Sequence, residues 1–154
     1  MAHKKLKLLY IARFLMEQTD ENHTATVKDI IAYLEGLGIG AERKAIYEDL
    51  ELLEEFGMDI VRTRTRTSNI YLGSRTFQLP ELKMLVDVVQ ASPFLTQKKS
   101  MELIGKLEGL ASRPQAVELR RQVYVMNRIK SPNEQLYYQI DAISQAINAN
   151  RQVT

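Results

Sequence analysis

Arginines alternate with threonines in one short stretch, and this is the pattern in the sequence that most clearly suggests chemistry. Arg62, Arg64 and Arg66 occupy every second position of residues 62–67. In an extended strand alternate side chains lie on the same side, so the three guanidinium groups would face one way. They repel one another unless an anion lies beside them, and a phosphate backbone or a narrow minor groove provides one. Protection of a strand edge from aggregation is the alternative explanation, and we favour the polyanion.

A second set of candidate residues lies near the start of a predicted helix. If Ile46 faces the core, a turn of about 100° per residue places Lys44 and Tyr47 on the outer face and Arg43 at its edge. The acidic residues of this helix come later in the sequence. Cations in the first turns suit a helix that enters a major groove, where they reach guanine edges or phosphates. The alternative is an ordinary solvent-exposed helix with charge pairs at i,i+4 spacing.

Thr26 and Lys28 stand at the start of the preceding predicted helix. The spacing of Thr26 and Asp29 resembles a capping box, in which a hydroxyl and a carboxylate satisfy the first free N–H groups of a helix. In a helix-turn-helix protein this end of the helix also lies against the phosphate backbone. We therefore include Thr26 and Lys28 as candidate DNA contacts, although capping alone would explain Thr26.

The elements around these residues predict a winged helix-turn-helix over residues 1–75. Helices are expected at residues 4–17, at 27–36 and at about 41–56, with a glycine-rich turn at 36–40 between the last two. The following stretch, residues 60–72, changes to a period of two and predicts a hairpin with its turn near residues 66–69.

Residues 76–154 are expected to form a helical linker or dimerisation segment. Pro80 suits the first turn of one helix, Thr96 can cap a second that runs to about Ala111, and Arg113-Pro114 should break it. Residues 115–124 predict only a weak helix or an extended piece, and a last helix is expected at 131–150. The predicted fold class is thus mainly α with a small β-hairpin.

Apolar spacing predicts which faces are buried. The expected stripes are, in the first helix, Leu6, Leu9, Ala12 and Met16; in the third, Ile46, Leu50, Leu53 and Phe56, supported by Ala45 and Leu52; in the helix after Thr96, Met101, Ile104, Leu107 and Leu110; and in the last, Leu136, Ile140, Ile143 and Ile147. The stripes of the second half exceed what one small domain would cover. Pairing with a second copy would bury them and present two recognition helices, whereas packing onto the first domain is the alternative.

Composition is that of a globular protein, with 45% hydrophobic residues, 26% charged residues and no cysteine. The sequence has no apolar run long enough to cross a membrane, so we expect a cytoplasmic protein. Residues 1–75 carry 11 Lys/Arg against 12 Asp/Glu, a net charge of −1, and residues 76–154 carry 10 against 7, a net charge of +3. Any DNA binding must therefore depend on where the cations lie. The low net charge of the first half favours the main rival, a protein-interaction module. RNA is a weaker rival because no platform of exposed aromatic residues is evident.

No catalytic, cofactor or metal site is expected. The two histidines, His3 and His23, lie in segments without metal-ligand spacing, and the glycines of residues 36–40 are not followed by the Lys and Ser/Thr of a phosphate-binding loop. Exposed carboxylates on the third helix are better explained by solvation than by acid–base catalysis. We therefore do not expect an enzyme.

Several segments together resemble the front part of bacterial WYL-domain transcriptional regulators. They are residues 5–12, 41–50, 77–83, 122–125, 137–143 and 148–152. The resemblance implies a winged helix-turn-helix that binds operator DNA, followed by a helical linker involved in dimerisation. By match, Arg43, Lys44 and Tyr47 fall on recognition-helix positions.

Two departures from the family pattern affect the recognition helix. Glu48 stands where many relatives have a basic residue, and Ala41 replaces a common Ser or Thr cap, so no base preference is carried over. The sequence has no Trp and stops about where the WYL domain would begin. The resemblance therefore implies that any effector site lies in a C-terminal domain outside this sequence; the alternative is a natural short form that binds DNA without sensing an effector.

Overall fold

The computed structural model describes residues 2–64, 68–123, 130–133 and 135–149. Within these residues the chain is mainly helical, with one two-stranded antiparallel sheet, as the sequence predicts at that level. The elements in chain order are α1 (Ala2–Gln18), α2 (Val27–Gly36), α3 (Arg43–Glu55), β1 (Ile60–Arg64), β2 (Ser68–Leu72), α4 (Leu79–Ala91), α5 (Gln97–Glu108), α6 (Arg113–Val123) and α7 (Gln135–Asn148).

Helix α2 begins at the predicted capping box. The Asp29 N–H donates to the Thr26 hydroxyl at 3.4 Å, and the Thr26 N–H donates to the Asp29 carboxylate at 2.7 Å. The helix ends at Gly36 and is followed by Gly38, whose φ of 73° is accessible to glycine without strain. The N–H groups of Gly38 and Ile39 return to the last helical carbonyls, at Glu35 and Leu34, which closes the end in a Schellman motif. This prediction is confirmed.

Helix α3 ends in the same way. Gly57 has a φ of 108°, and the N–H groups of Gly57 and Met58 bond to the carbonyls of Glu54 and Leu53. The helix begins at Arg43, two residues later than predicted, with Glu42 as an N-cap that makes no side-chain capping bond. Arg43 and Lys44 therefore occupy the first turn of α3.

A hydrophobic core joins α1, α2, α3 and the hairpin. Its fully buried members include Ile11, Leu15, Ile30, Leu34, Ile46, Leu50 and Ile70. The predicted face of α1 was wrong, because Leu6, Leu9 and Met16 are exposed and the helix buries Ile11, Phe14 and Leu15 instead. On α3, Ile46, Leu50 and Leu53 are buried as predicted. Phe56 and Leu52 are exposed, and Met58 packs on the core beyond the end of the helix.

The hairpin pairs Ile60 with Leu72, Arg62 with Ile70, and Arg64 with Ser68. Ser68 and Asn69 are thus strand residues and not turn residues as predicted. The rest of the predicted turn, residues 66 and 67, lies outside the described residues. On its other edge, β2 receives a bridge from the loop before α2, in which Ala25 and Ile70 exchange two backbone hydrogen bonds of 2.9 and 2.7 Å. This bridge ties the start of α2 to the hairpin.

A second hydrophobic cluster lies among α4, α5 and α6, with Leu82, Val86, Ile104, Ala111 and Leu119 at its centre. The predicted first-turn proline of α4 and the Thr96 cap of α5 are confirmed, and Lys99 N–H donates to the Thr96 hydroxyl at 3.1 Å. Met101 and Leu110 were predicted to be buried and are exposed, since α5 turns Ser100, Ile104 and Glu108 inward.

The prediction that Arg113-Pro114 ends a helix was only half correct. Helix α5 does end before these residues, at Glu108, but Arg113 and Pro114 open α6. Proline is accommodated there because the first N–H groups of a helix have no partner inside the helix. Residues 113–123 are therefore regularly helical and contribute Leu119 to the second cluster.

A buried polar cluster, the Asp20 junction, joins the two hydrophobic clusters and consists of Thr19, Asp20, Arg75 and Ser112. The Asp20 carboxylate accepts from the N–H groups of Asn22 and His23, from His23 Nδ1 and from the Ser112 hydroxyl. Thr19 donates its hydroxyl to Leu15 and accepts from the Leu72 N–H, while Arg75 donates to the Thr19 carbonyl at 2.6 Å. Burial opposes ionisation of Asp20, but the bonds from Ser112, His23 and Asn22 outweigh it and lower its pKa.

Helix α7 lies against no other helix or strand of the described chain. Its predicted stripe is largely exposed at Ile140, Ile143 and Ile147. None of the described helices is both long and apolar enough to cross a membrane.

Candidate nucleic-acid interface

A groove of about 290 Å³ opens where the first turns of α2 and α3 meet the start of β2. Its lining consists of Thr26, Val27, Lys28, Ile31, Arg43, Tyr47 and Ser68. Four predicted contact residues, on two different helices, are thus brought to one place. The described lining carries two cations and no carboxylate, which gives the groove a positive character suited to an anion.

The α2 side of the groove is fixed by the capping box. Hydrogen bonds from the Thr26 hydroxyl and N–H hold the Asp29 carboxylate and lower its pKa, so this acid is ionised and engaged in the cap. The first turn of a helix directs its N–H groups and a partial positive charge outward. Lys28, exposed in that turn, adds a full positive charge.

The α3 side of the groove is formed by Arg43 and Tyr47, one helical turn apart. The Arg43 guanidinium donates to the Tyr47 hydroxyl at 3.3 Å and lies 5.8 Å from the centre of its ring. This contact orients the arginine along the helix surface before any ligand arrives, which reduces the entropy lost on binding.

The pKa of Tyr47 is lowered, which indicates the electrostatic character of the groove. The hydrogen bond from Arg43 is the main cause; partial burial opposes it, and the charge of Arg43, a hydrogen bond with Ser68 and the charge of Arg62 act in the same direction as the main cause. Cations from α3 and from the hairpin therefore act on one phenol. The contact with Ser68 also connects α3 to the first residue of β2.

Lys44 lies outside the groove and projects into solvent. Its side chain is 89% exposed, and its ammonium group lies 4.0 Å from the Glu48 carboxylate, one turn along α3. Exposed pairs at this distance contribute little, so the ammonium group can leave Glu48 at small cost. Lys44 and Arg43 are neighbours in sequence but have different surroundings.

Arg62 has a partner that the sequence did not indicate. Its guanidinium lies 2.9 Å from the Glu54 carboxylate of α3, and the side chain is only 28% exposed. Arg62 shares its face of the hairpin with Ile60 and the cross-strand Ile70, both of which are buried. This face of the hairpin lies against α3. Arg62 is therefore engaged in an ion pair within the protein, although the alternating arginines predicted an external anion.

The two other arginines of the pattern are described only in part or not at all. Arg64 is the last residue of β1 and pairs with Ser68, and Arg66 lies outside the described residues. Their predicted DNA contacts stay predictions.

Sequence reasoning missed Ser68 as part of the site, because it was assigned to the turn. The alternation of β1 and β2 could have located it, since a register that pairs Arg62 with Ile70 places Ser68 opposite Arg64. It also missed the Ala25 bridge, for which a single residue of strand leaves no periodic signal.

Among the described residues, no group of three or more His, Cys, Asp or Glu side chains is placed to hold a metal ion. A scan against protein-family models, a search of curated proteins and a search of solved structures each found no significant match.

Proposed function

We propose that this protein is a sequence-specific DNA-binding transcriptional regulator whose first 75 residues form a winged helix-turn-helix. The observation that carries the proposal is the groove, in which the starts of α2 and α3 place Thr26, Lys28, Arg43 and Tyr47 around a space lined by no carboxylate. The order of elements is compatible with a winged helix: α1, the single bridging residue Ala25, α2, α3 and then the hairpin. Ala25 would take the place of the short first strand.

In the proposed complex, the start of α3 enters the major groove. Lys44, fully solvated, reaches the base edges, whereas Arg43, Tyr47 and Lys28 line the groove and bind one strand's phosphates. The hairpin approaches the adjacent minor groove or backbone, where Arg64 and Arg66 are proposed as contacts. Arg62 contributes to the potential at Tyr47, and in the complex DNA competes with Glu54 for its guanidinium.

The resemblance to the front part of WYL-domain regulators supports the same function. It adds a homodimer that binds two half-sites. Exposed apolar side chains in the second half, such as Met84, Val88 and Ile147, support self-association.

The test is fluorescence anisotropy with a labelled mixed-sequence duplex at several salt concentrations. Wild type should bind with an affinity that falls steeply as salt rises. A double substitution, Lys28→Ala with Arg43→Ala, should reduce the magnitude of the log–log salt slope by about 2, because each lost phosphate contact removes nearly one counterion.

A matched control is Lys106→Ala with Arg121→Ala. It removes the same net charge from exposed positions on α5 and α6. Equal losses in the two doubles would mean that only net charge matters, and undetectable binding by wild type at low salt would refute the proposal.

One observation favours the alternative, a protein-interaction module. Leu52, near the end of α3, and Phe56, which follows the helix, are exposed beside Glu51 and Glu55, and Phe56 is 84% exposed. An apolar patch flanked by acids suits a basic protein surface better than DNA. Absence of DNA binding combined with loss of a protein partner in Phe56→Ser would favour this function.

A further inference from the structure

In the described part of the chain, a single helix–helix contact connects the two hydrophobic clusters. Of the described elements, only α1 and α6 bring together the first unit (α1, α2, α3 and the hairpin) and the second unit (α4, α5 and α6). The side-chain bonds at this contact are polar: Glu17 and Arg113 form an exposed pair at 2.9 Å, and Asp20 bonds to Ser112 inside the protein. The two clusters share no residue. The orientation of α6 on the first unit therefore depends on directional hydrogen bonds.

The Asp20 carboxylate, which is almost completely buried, bonds to both units. Its Oδ2 accepts from the Ser112 hydroxyl, at the start of α6. Its Oδ1 accepts from the N–H groups of Asn22 and His23, each at 2.9 Å, and lies 2.8 Å from His23 Nδ1. One oxygen thus holds the second unit, and the other organises the loop between α1 and α2.

Ser112 is held equally firmly on its own side of the contact. It caps α6, since its hydroxyl accepts from the Gln115 N–H at 3.3 Å and its carbonyl accepts from the Ala116 N–H at 2.8 Å. The Asp20 carboxylate therefore lies at the N-terminal end of α6, where the partial positive charge of a helix favours an anion. A displacement of α6 would remove both the hydrogen bond and this favourable charge interaction.

The loop that Asp20 organises leads directly into the groove. Its backbone is closed by two hydrogen bonds between Asp20 and His23, at 3.0 and 3.1 Å. Two residues later Ala25 forms its bridge with Ile70 of β2, and the next residue, Thr26, caps α2 and lines the groove. Every step from α6 to the start of α2 is a hydrogen bond or a short run of peptide links, so little freedom remains between them.

We propose that the Asp20 junction positions the start of α2 for DNA and couples it to the second unit. Asp20 and Ser112 are positioning residues, because neither lines the groove. When α6 separates from Asp20, the loop loses an anchor and Lys28 is no longer held against a phosphate. Because coupling is reciprocal, DNA in the groove should in turn favour the closed junction. The inference rests on the proposed function for its effect on DNA binding.

Amide hydrogen exchange in the free protein tests the coupling without DNA. Ser112→Ala removes the bond to Asp20, so the N–H groups of Ala25 and Ile70 should gain about tenfold more in exchange rate than that of Leu50, which is buried in α3 and reports global unfolding. The matched control is Thr96→Ala, which removes the hydroxyl cap of a helix of the same unit, α5. Equal gains at all three amides, or the same pattern in the control, would overturn the coupling.

Binding to the labelled duplex tests whether the junction acts on the groove. Ser112→Ala should weaken binding by at least about fivefold and reduce the salt slope by about 1, whereas Thr96→Ala should bind like wild type. In a Lys28→Ala background, Ser112→Ala should have little further effect, because the contact that it disturbs is already absent. Residues with no shared contacts otherwise contribute additively, so non-additivity is the signature of the coupling.

The two measurements distinguish this inference from the proposed function. If wild type binds DNA and Ser112→Ala causes the same loss with and without Lys28, the coupling is overturned and the DNA proposal is unaffected. If the expected exchange pattern occurs but no DNA binds, the coupling of α6 to α2 is supported and the regulator is refuted. Should Ser112→Ala fail to fold, Glu17→Ala with Arg113→Ala opens the same contact from its exposed side, and the same pattern is expected with smaller amplitude.

Discussion

The groove and the Asp20 junction both gather polar side chains from distant parts of the sequence, but they differ in what satisfies those side chains. In the junction, Thr19, Asp20 and Ser112 are almost completely buried, and the protein itself supplies hydrogen-bond partners for them. In the groove, Arg43 and Lys28 face solvent with no carboxylate in the lining. Polar groups satisfied internally stabilise a fold, whereas exposed cations held in place are available to a ligand.

The largest expected effect is on stability, from Asp20→Ala. This change leaves the buried Ser112 hydroxyl without its acceptor and removes the acceptor of the Asn22 N–H, which should lower the free energy of unfolding by about 2–3 kcal/mol. Urea denaturation measures it, with Asp141→Ala on the exposed α7 as control. If Asp20→Ala lowered the free energy of unfolding as little as the control does, the Asp20 junction would contribute no more to stability than a surface contact.

The pH dependence of the same residue gives a second check. Native hydrogen bonds lower the pKa of Asp20 below its ordinary value of 3.8, so its contribution is complete above that value and disappears as the pH falls through the lower native pKa. The stability difference between wild type and Asp20→Asn should therefore shrink toward low pH. A difference that grows on acidification would contradict the assigned direction.

If the protein binds DNA as proposed, Lys44 should contribute to sequence specificity and Arg43 to binding of the phosphate backbone. If Lys44 reads a base, Lys44→Ala should cost about 1–3 kcal/mol on the preferred operator and much less on unrelated DNA. Arg43, held on Tyr47 in the groove, should weaken binding to all sequences and reduce the salt slope by about 1 when changed to Ala. Affinity and salt dependence on an operator selected from random duplexes measure both. If the two variants showed the same affinity loss and the same salt dependence, Arg43 in the groove and Lys44 on the exposed face would not have different roles.

Local features of the fold could be predicted from the sequence because neighbouring residues determine them. The capping box at Thr26, the glycine-terminated end of α2 and the proline in the first turn of α4 are of this kind. The buried face of α1 could not be predicted, because apolar residues lie nearly all around this helix and several phases fit equally well. The fold selects the face that contains Ile11 and Leu15.

The candidate site was predictable only where its residues mark helix starts. Thr26, Lys28, Arg43 and Tyr47 follow from the positions of α2 and α3. The pairs Arg62–Glu54 and Asp20–Ser112 depend on tertiary packing, and the second pair spans 92 residues. No local sequence pattern reveals such contacts. The spacing of the arginines in β1 therefore predicted a ligand for Arg62, for which the fold also provides Glu54 as a partner.

Thr26 lines the groove, but its hydroxyl caps α2, so it belongs to both kinds of region. Its substitution therefore tests whether a polar group that the protein already satisfies also contributes to DNA binding. Thr26→Ala should lower the free energy of unfolding by about 1 kcal/mol, and Thr26→Ser should restore most of it. At temperatures well below unfolding, Thr26→Ala should weaken DNA binding less than Arg43→Ala does. If the alanine variant loses affinity as strongly as Arg43→Ala while its stability is unchanged, the hydroxyl belongs to the ligand and not to the cap.

The smallest expected effect concerns Arg62, where the two kinds of region meet. Its pair with Glu54 is partly exposed, so Glu54→Ala should change stability by only about 0.2–1 kcal/mol. The same change removes a carboxylate that competes with DNA for the Arg62 guanidinium, and anisotropy should show a few-fold gain in affinity on that account. In an Arg62→Ala background the extra gain from Glu54→Ala should shrink to that of an unpaired surface acid. A gain of equal size in both backgrounds would mean that Glu54 weakens DNA binding by general charge repulsion. Arg62 would then serve the fold, as Asp20 does, and would not contact DNA.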